Sequence, residues 1–341
     1  MRNRKLTALL TGSLAVVLVA ALAGAGLAAS AKKAAAGDTC LVTDVGGLND
    51  RSFNQLANAG RLQGEKALGV KTQVFTSVKE ADYIPNLLAC VQSGADLTIG
   101  VGFLMADALN TVAARFPNSK FAIIDFPYDA LASKPANTRG ILFREQEAGY
   151  LAGWLAIKTL AAQKKPLVIG AVGGVKIPPV DRYIAGYQAG ALAASPKAKV
   201  LYGYSQSFTD QSKCKEISLN HIAQGSQVEF GVAGSCGLGS LSAAKDKGLW
   251  AIGVDADQAY LGPHMLTSAM KRVDAGVLRT MKQAKTGTFK GYGNTTFSVR
   301  AGGVGLGKIS AKVPAAIVAA EKVLENQIRT GKVKGIPTTV K

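Results

Sequence analysis

Cys40-Leu41-Val42-Thr43-Asp44-Val45-Gly46-Gly47-Leu48-Asn49-Asp50-Arg51-Ser52-Phe53-Asn54 is the stretch whose reading decides the fold. Its opening apolar run, 40–42, has the length and bounds of a buried strand. Asp44 stands where that strand ends. Gly46 and Gly47 allow a tight turn and a close approach of backbone to a ligand. Asn49 or Asp50 is placed to N-cap a helix that begins near Ser52. Strand, glycine turn and capped helix form the opening βα unit of an open α/β sheet, and such sheets bind ligands at the carboxyl ends of their strands. Asp44 and Phe53 then lie at that edge, an acceptor beside an aromatic face. Taken alone, the stretch fits equally well an Asp-Gly turn with Phe53 packed into a core.

Downstream the rhythm repeats. Strands at 70–76, 97–101, 120–125 and 139–143 alternate with helices at 83–92 and 105–115. A first crossing between halves falls near residue 143, where Glu145-Gln146-Glu147 opens a helix with acids suited to its positive end. A second series follows, with strands at 167–172, 199–204, 227–233 and 249–254 and helices at 178–194, 211–224 and 238–247. Residues 265–268 are expected to return to the first half and run into Lys271. Beyond them come a helix at 274–285, a glycine-rich hairpin and loop at 287–307, a helix at 314–330 and a tail with room for one short strand. This pattern is α/β: two Rossmann-like lobes with parallel sheets around a hinged cleft, a type I periplasmic-binding-protein fold. The expected lobes are 39–143 plus 264–300, and 144–263 plus 301–341.

Residues 1–31 read as a secretory leader: a basic start at Met1-Arg2-Asn3-Arg4-Lys5, an apolar run, and Ala29-Ser30-Ala31 as a cleavage site. The apolar run is also long enough for an uncleaved anchor. Residues 32–38 are then a flexible leader. The formal charge of the 341-residue chain is +18, and loss of Arg2, Arg4 and Lys5 leaves +15. The basic residues are scattered rather than striped, and export argues against nucleic acid, so the charge reads as a solvated surface facing anionic envelope polymers. Four cysteines in an exported chain suggest two disulfides. Of the three pairings, Cys40–Cys90 and Cys214–Cys236 join elements that should be neighbours in successive βα units.

Gly302-Gly303-Val304-Gly305-Leu306-Gly307-Lys308-Ile309 imitates a phosphate loop, but Ile309 stands where a magnesium-binding hydroxyl is needed. His221 and His264 sit in no metal or nucleophile motif, and no elbow of the G-x-S-x-G type occurs. No cofactor is implied. Asp44, Phe53, Asp125, Phe208, Asp255 and Lys271 form a stronger constellation, with the acids at strand ends and the others in adjoining loops or helix starts. Carboxylates can accept from both hydroxyls of a ribose diol. Lysine can donate to the same sugar, and phenylalanine faces can stack on a planar base. Such a site suits a neutral, polyhydroxylated, aromatic ligand and repels phosphate. Singly, each residue also fits a cap, a core Phe or a surface Lys.

The opening stretch resembles the start of the basic membrane protein family, the purine-nucleoside-binding lipoproteins that serve ABC importers. Matches recur in order at Phe143-Arg144-Glu145-Gln146-Glu147-Ala148-Gly149-Tyr150-Leu151-Ala152-Gly153, at Gly173-Gly174 with Ile177-Pro178-Pro179-Val180 and Gly186-Tyr187, at Ile252-Gly253-Val254-Asp255-Ala256-Asp257-Gln258, and at Thr267-Ser268-Ala269-Met270-Lys271-Arg272-Val273. The resemblance implies that Asp44 holds the ligand in the first lobe and that Phe53 stacks on the purine with Ser52 and Asn54 nearby. It implies further that Asp125 bonds the base, Phe208 stacks from the second lobe, Gly234 permits close approach, and Asp255, or Asp257 in its place, holds the ribose with Lys271. Function follows as an extracytoplasmic solute-binding protein, not an enzyme, that delivers a purine nucleoside to a membrane permease and works as a monomer. A sugar or other small polar solute is the nearest rival ligand. A nucleosidase-type hydrolase and a ligand-free envelope scaffold are rivals of other classes. Cys40 follows Asp38-Thr39 rather than a lipobox, so the family's lipid anchor is expected to be absent.

Overall fold

The computed structural model describes Ala35 and residues 37–340, and the expectations for the leader and its processing lie outside these residues. From the first lobe come β1 (Thr39–Val42), α1 (Phe53–Leu68), β2 (Thr72–Phe75), α2 (Tyr83–Gln92), β3 (Leu97–Gly100), α3 (Ala106–Arg115), β4 (Lys120–Ile124) and β5 (Thr138–Phe143). After a crossing follow α4 (Glu145–Ala162), β6 (Val168–Gly173), α5 (Pro178–Ala194), β7 (Lys199–Tyr204), α6 (Gln211–Ala223), β8 (Val228–Val232), α7 (Gly237–Asp246), β9 (Trp250–Asp255) and β10 (Met265–Lys271). Last come α8 (Val273–Lys285), β11 (Asn294–Phe297), β12 (Val304–Leu306) and α9 (Ala315–Arg329).

Two sheets result, with strand orders β11-β5-β4-β3-β1-β2 and β12-β10-β9-β8-β6-β7. Every pairing is parallel except that of β12 with β10. The two orders correspond strand for strand, so β4 and β9 occupy the same place in their sheets. In each lobe the chain turns back after its second strand, leaving a switch point between first and third strands where open α/β sheets bind ligands. Strand β1 is buried on both faces, as parallel sheets covered by helices require.

β10 corrects the expected lobe boundary. It pairs with β9, Ser268 opposite Gly253, so residues 264–271 belong to the second sheet. The buried strand runs along the free edge of β9, which a short connection through 256–264 reaches more readily than the other lobe. The chain therefore returns after Lys271, and α8 packs on α1. Within 287–307, β11 joins the first sheet and β12 the second, which makes 298–303 a third crossing rather than a hairpin. No strand forms in the described part of the tail.

The crossings are tied to one another. Arg144 N donates to Phe297 O at 2.8 Å, and Arg272 N donates to Gly303 O at 2.8 Å. Val299 N donates to Glu147 Oε2 at 2.7 Å. Both expected disulfides are present: Cys40–Cys90 fastens β1 to α2, and Cys214–Cys236 fastens α6 to the loop before α7. Bridges of this kind stabilise a fold by roughly 2–4 kcal/mol each.

Helices α4 and α5 meet backbone to backbone. A Cβ on Gly149 or Gly153 would fall inside the carbonyls of Tyr183 and Tyr187, and one on Gly186 or Gly190 inside those of Gln146 and Tyr150. Gly153→Val is therefore expected to lower the unfolding free energy by about 3 kcal/mol through overpacking, read from the urea midpoint. An unchanged midpoint would mean that the two helices separate at little cost.

Candidate functional site

Between the lobes lies a cleft enclosing about 600 Å³ of empty space, part of it open to solvent. Of the residues singled out from the sequence, Asp44, Phe53, Asn54, Asp125, Phe208, Gly234, Asp255 and Lys271 all line it. Ser52 does not; it stands behind one of the acids.

Local chemistry fixes each wall. In the loop after β1, Asp50 supplies the cap of α1, accepting from Asn54 N at 2.8 Å and Gln55 N at 3.1 Å. The Asn54 amide that this positions donates to Asp44 Oδ1 at 2.7 Å, and Gly46 N donates to the same oxygen at 2.9 Å. Gly102, after β3, must be glycine: its φ is +112° and a Cβ would stand 2.8 Å from Asp44 Oδ2. In the second lobe, Phe208 O accepts from Cys236 N at 3.0 Å, so the nearby Cys214–Cys236 bridge steadies the Phe208 loop. Gly174 makes room for the Phe208 ring, and Gly234 takes up φ +55° beside Phe208 O.

Asp125 and Asp255 follow or end the equivalent strands β4 and β9, and both are left-handed, with φ of 72° and 60°. Non-glycine residues in that region store about 1–3 kcal/mol of strain. The conformation turns each carboxylate from the strand into the cleft. Asp255 is held on both oxygens: Ser52 Oγ donates to Oδ2 at 2.6 Å and Tyr183 Oη to Oδ1 at 3.3 Å. The Ser52 bond spans the cleft. A second cross-cleft bond runs from Gln258 Nε2 to Arg51 O at 3.2 Å. Asp125 Oδ2 accepts from Lys271 Nζ at 2.5 Å, while its buried Oδ1 has no hydrogen-bond partner among the described residues.

Lys271 Nζ lies 5.1 Å from the centre of the Phe53 ring and 5.0 Å from that of Phe143, a cation–π setting on two sides. Glu145 Oε1 approaches the same nitrogen at 2.9 Å. Read from sequence, Glu145 suits a helix end; in the structure it is a fully buried partner of the cleft lysine. Phe103 and Tyr183 also line the cleft and were not anticipated. Gly102-Phe103 follows a strand end, which was a usable signal. Tyr183 lies inside a helix, where nothing local marks it.

Burial raises the Asp44 carboxyl to about 6 against the bonds from Asn54 and Gly46. Burial likewise raises Asp255 to about 6 against Lys271 and Ser52. For Lys271, burial alone would lower the ammonium, but Asp125, Glu145 and Asp255 together outweigh it and the net shift is upward. Four lining carboxylates (Asp44, Asp50, Asp125, Asp255) against one lining ammonium make an acceptor-rich site. It can take up N–H and O–H donors and it disfavours anions. No group of side chains able to hold a metal ion occurs among the described residues.

Residues 38–335 match the family described as Bmp, ABC transporter substrate-binding protein PnrA-like. The ABC transporter nucleoside-binding protein BmpA of Lactococcus lactis subsp. cremoris is 34% identical over 290 residues, covering 78% of this chain and 80% of its own. An uncharacterized lipoprotein of Pyrococcus abyssi is 36% identical over 320 residues, 89% of this chain and 77% of its own. That name speaks for a lipid on the relative, and so lends nothing to the expectation of an unanchored chain. Among solved structures, an ABC transporter system solute-binding protein from Aeropyrum pernix has a TM-score of 0.78 at 28% identity, covering 88% of this chain and 93% of that one. The two lobes thus form the type I periplasmic-binding fold.

The raised acids give a stability test. The folded protein binds these protons more tightly than the unfolded chain, so the stability they contribute is full below about pH 4 and is lost as pH rises to about 6. An asparagine at position 44 can still accept from Gly46 and Asn54 but carries no charge. Asp44→Asn is expected to stabilise the ligand-free protein by about 1–2 kcal/mol at neutral pH and to change little at about pH 4, measured by chemical denaturation at both. A loss of stability at neutral pH would show that the desolvated charge is not what strains the cleft.

Proposed function

The chain belongs to the Bmp family of PnrA-like ABC transporter substrate-binding proteins, and from that premise we propose that it captures a purine nucleoside between its lobes and delivers it to a membrane permease. The carrying observation is Asp125, a residue of the cleft wall whose buried Oδ1 has no hydrogen-bond partner among the described residues and so calls for an N–H or O–H donor from a solute. Leaving such an atom unmatched costs about 1–3 kcal/mol, so a ligand that supplies the donor gains that much. The nucleoside-binding name of the Lactococcus relative supports the same choice.

In this reading Phe53 and Phe208 stack on the base from opposite lobes, and Asp125 accepts from its N–H edge. Asp44 and Asp255 accept from the ribose hydroxyls, and Lys271 donates to the sugar oxygens. Gly234 lets the second-lobe backbone come close. Asn54 orients Asp44 rather than the ligand, and Ser52 ties Asp255 across the closed cleft. The acids exclude a phosphorylated form by repulsion. Family members are substrate-binding proteins of extracytoplasmic transport, which agrees with a chain stapled by disulfides.

Calorimetric titration of ligand-stripped protein with inosine, guanosine, adenosine, cytidine and ribose tests the reading. Submicromolar binding of a purine nucleoside, beyond about −8 kcal/mol, is expected, with ribose silent. Tight ribose binding with silent nucleosides would transfer the site to sugar uptake, and release of free base from inosine would make the protein a hydrolase. Phe208→Ala is expected to weaken the nucleoside by about 1–3 kcal/mol through lost stacking. Unchanged affinity would remove Phe208 from the base site.

A further inference from the structure

We propose that Glu145, which does not line the cleft, is a positioning residue for it: the carboxylate anchors the Lys271 ammonium to the second lobe and thereby sets how strongly Asp125 accepts a hydrogen bond from the solute. This rests on the nucleoside reading above.

Glu145 is the first residue of α4, directly after one crossing, and Lys271 is the last of β10, directly before another. Glu145 is completely buried. A carboxylate in such a place needs cationic neighbours to be tolerated. It has two: Lys271 Nζ at 2.9 Å from Oε1 and Arg182 Nη1, from α5, at 3.5 Å from Oε2. Beyond Lys271 stands Asp125 at 2.5 Å. Charges thus alternate from partner to partner, Arg182, Glu145, Lys271, Asp125, from a part-exposed arginine on α5 to the wall of the cleft.

A lysine stem is flexible and its ammonium is a point charge with no preferred direction. Without Glu145 it would be left to Asp125, in direct contact, and to Asp255 beyond, and would offset more of the charge on Asp125. Glu145 draws on the same nitrogen at 2.9 Å, so Lys271 is shared, and Asp125 keeps negative charge for the donor that meets its Oδ1. Neutralising Glu145 leaves more of the ammonium's charge to Asp125 and makes Oδ1 a poorer acceptor.

The titratable groups facing Glu145 are Lys271 from β10, Arg182 and Tyr183 from α5, and Asp125 after β4, with Asp255 at the end of β9 beyond the lysine. Burial raises Glu145 to about 7 against the pull of the two cations. The anchor is therefore in force above about pH 7 and fades below it. Asp44 and Asp255 add a separate loss of affinity below about pH 6.

The test is calorimetric titration of wild type and Glu145→Gln with inosine between about pH 5.5 and 8.5, with a thermal melt of each sample. Expected is a variant about tenfold weaker than wild type at the alkaline end and equal to it near pH 6, because the variant copies the protonated glutamate. Arg182→Gln, farther from the cleft, removes one cation from Glu145 and should move the wild-type rise to higher pH without abolishing it. A Glu145→Gln curve that follows wild type throughout, or one displaced by the same factor at every pH together with a lowered melt, would overturn the proposal. So would an Arg182→Gln curve that does not move, which decides the matter if Glu145→Gln does not fold. Wild-type affinity for inosine tests the nucleoside reading, whereas the ratio of variant to wild type against pH tests the role of Glu145.

Discussion

Lys271 is the ammonium on which the cleft depends. It stands among Asp125, Asp255 and Glu145 in a space largely closed to water, flanked by the rings of Phe53 and Phe143. Carboxylates gathered this closely would repel one another and each would lose its hydration. A single buried cation, drawn from a strand end beside the hinge, lets them coexist. It does not satisfy them fully, since Asp44, Asp255 and Glu145 all remain raised. That residual discomfort is what N–H or O–H donors brought into the cleft can relieve.

Internal repetition explains how the acids arrive there. The two sheets share one strand order, and the same position in each delivers a left-handed aspartate, Asp125 in the first and Asp255 in the second. One device, a strand end bent by an unfavourable φ, is used from two sides of the cleft. Strain of this kind is kept where function needs it and is offset elsewhere, here by covalent bridges and by the close backbone contact of α4 with α5.

Much of this was legible in the sequence because the signals were local. The βα rhythm, the acids that close apolar strands and the aromatic after the capped turn mark the lobes and most of the cleft residues. What escaped was tertiary. Met265–Lys271 has the pattern of a strand, but which sheet it joins depends on the free edge of β9. Glu145 looks like a helix-end acid from its neighbours in sequence; its partners, Lys271 and Arg182, lie far along the chain. Ser52 sits among cleft residues yet spends its hydrogen on Asp255, because closure brings the second lobe to it. Tyr183 is a helix residue whose ring faces the cleft only once α5 is docked.

The three crossings carry a consequence for motion. Each is hydrogen-bonded to the third or to the helix beside it, through Arg144, Arg272 and the Glu147–Val299 pair. Sliding one lobe along the other would break these bonds together, whereas turning about the line they define can leave them intact. The hydrogen bonds at the crossings therefore favour rotation of the lobes over translation. Groups near that axis keep their separations at every opening angle. Lys271 and Glu145 both stand on the second lobe, so their ion pair is independent of the swing, while Ser52 and Asp255 stand on opposite lobes and their bond needs the cleft closed.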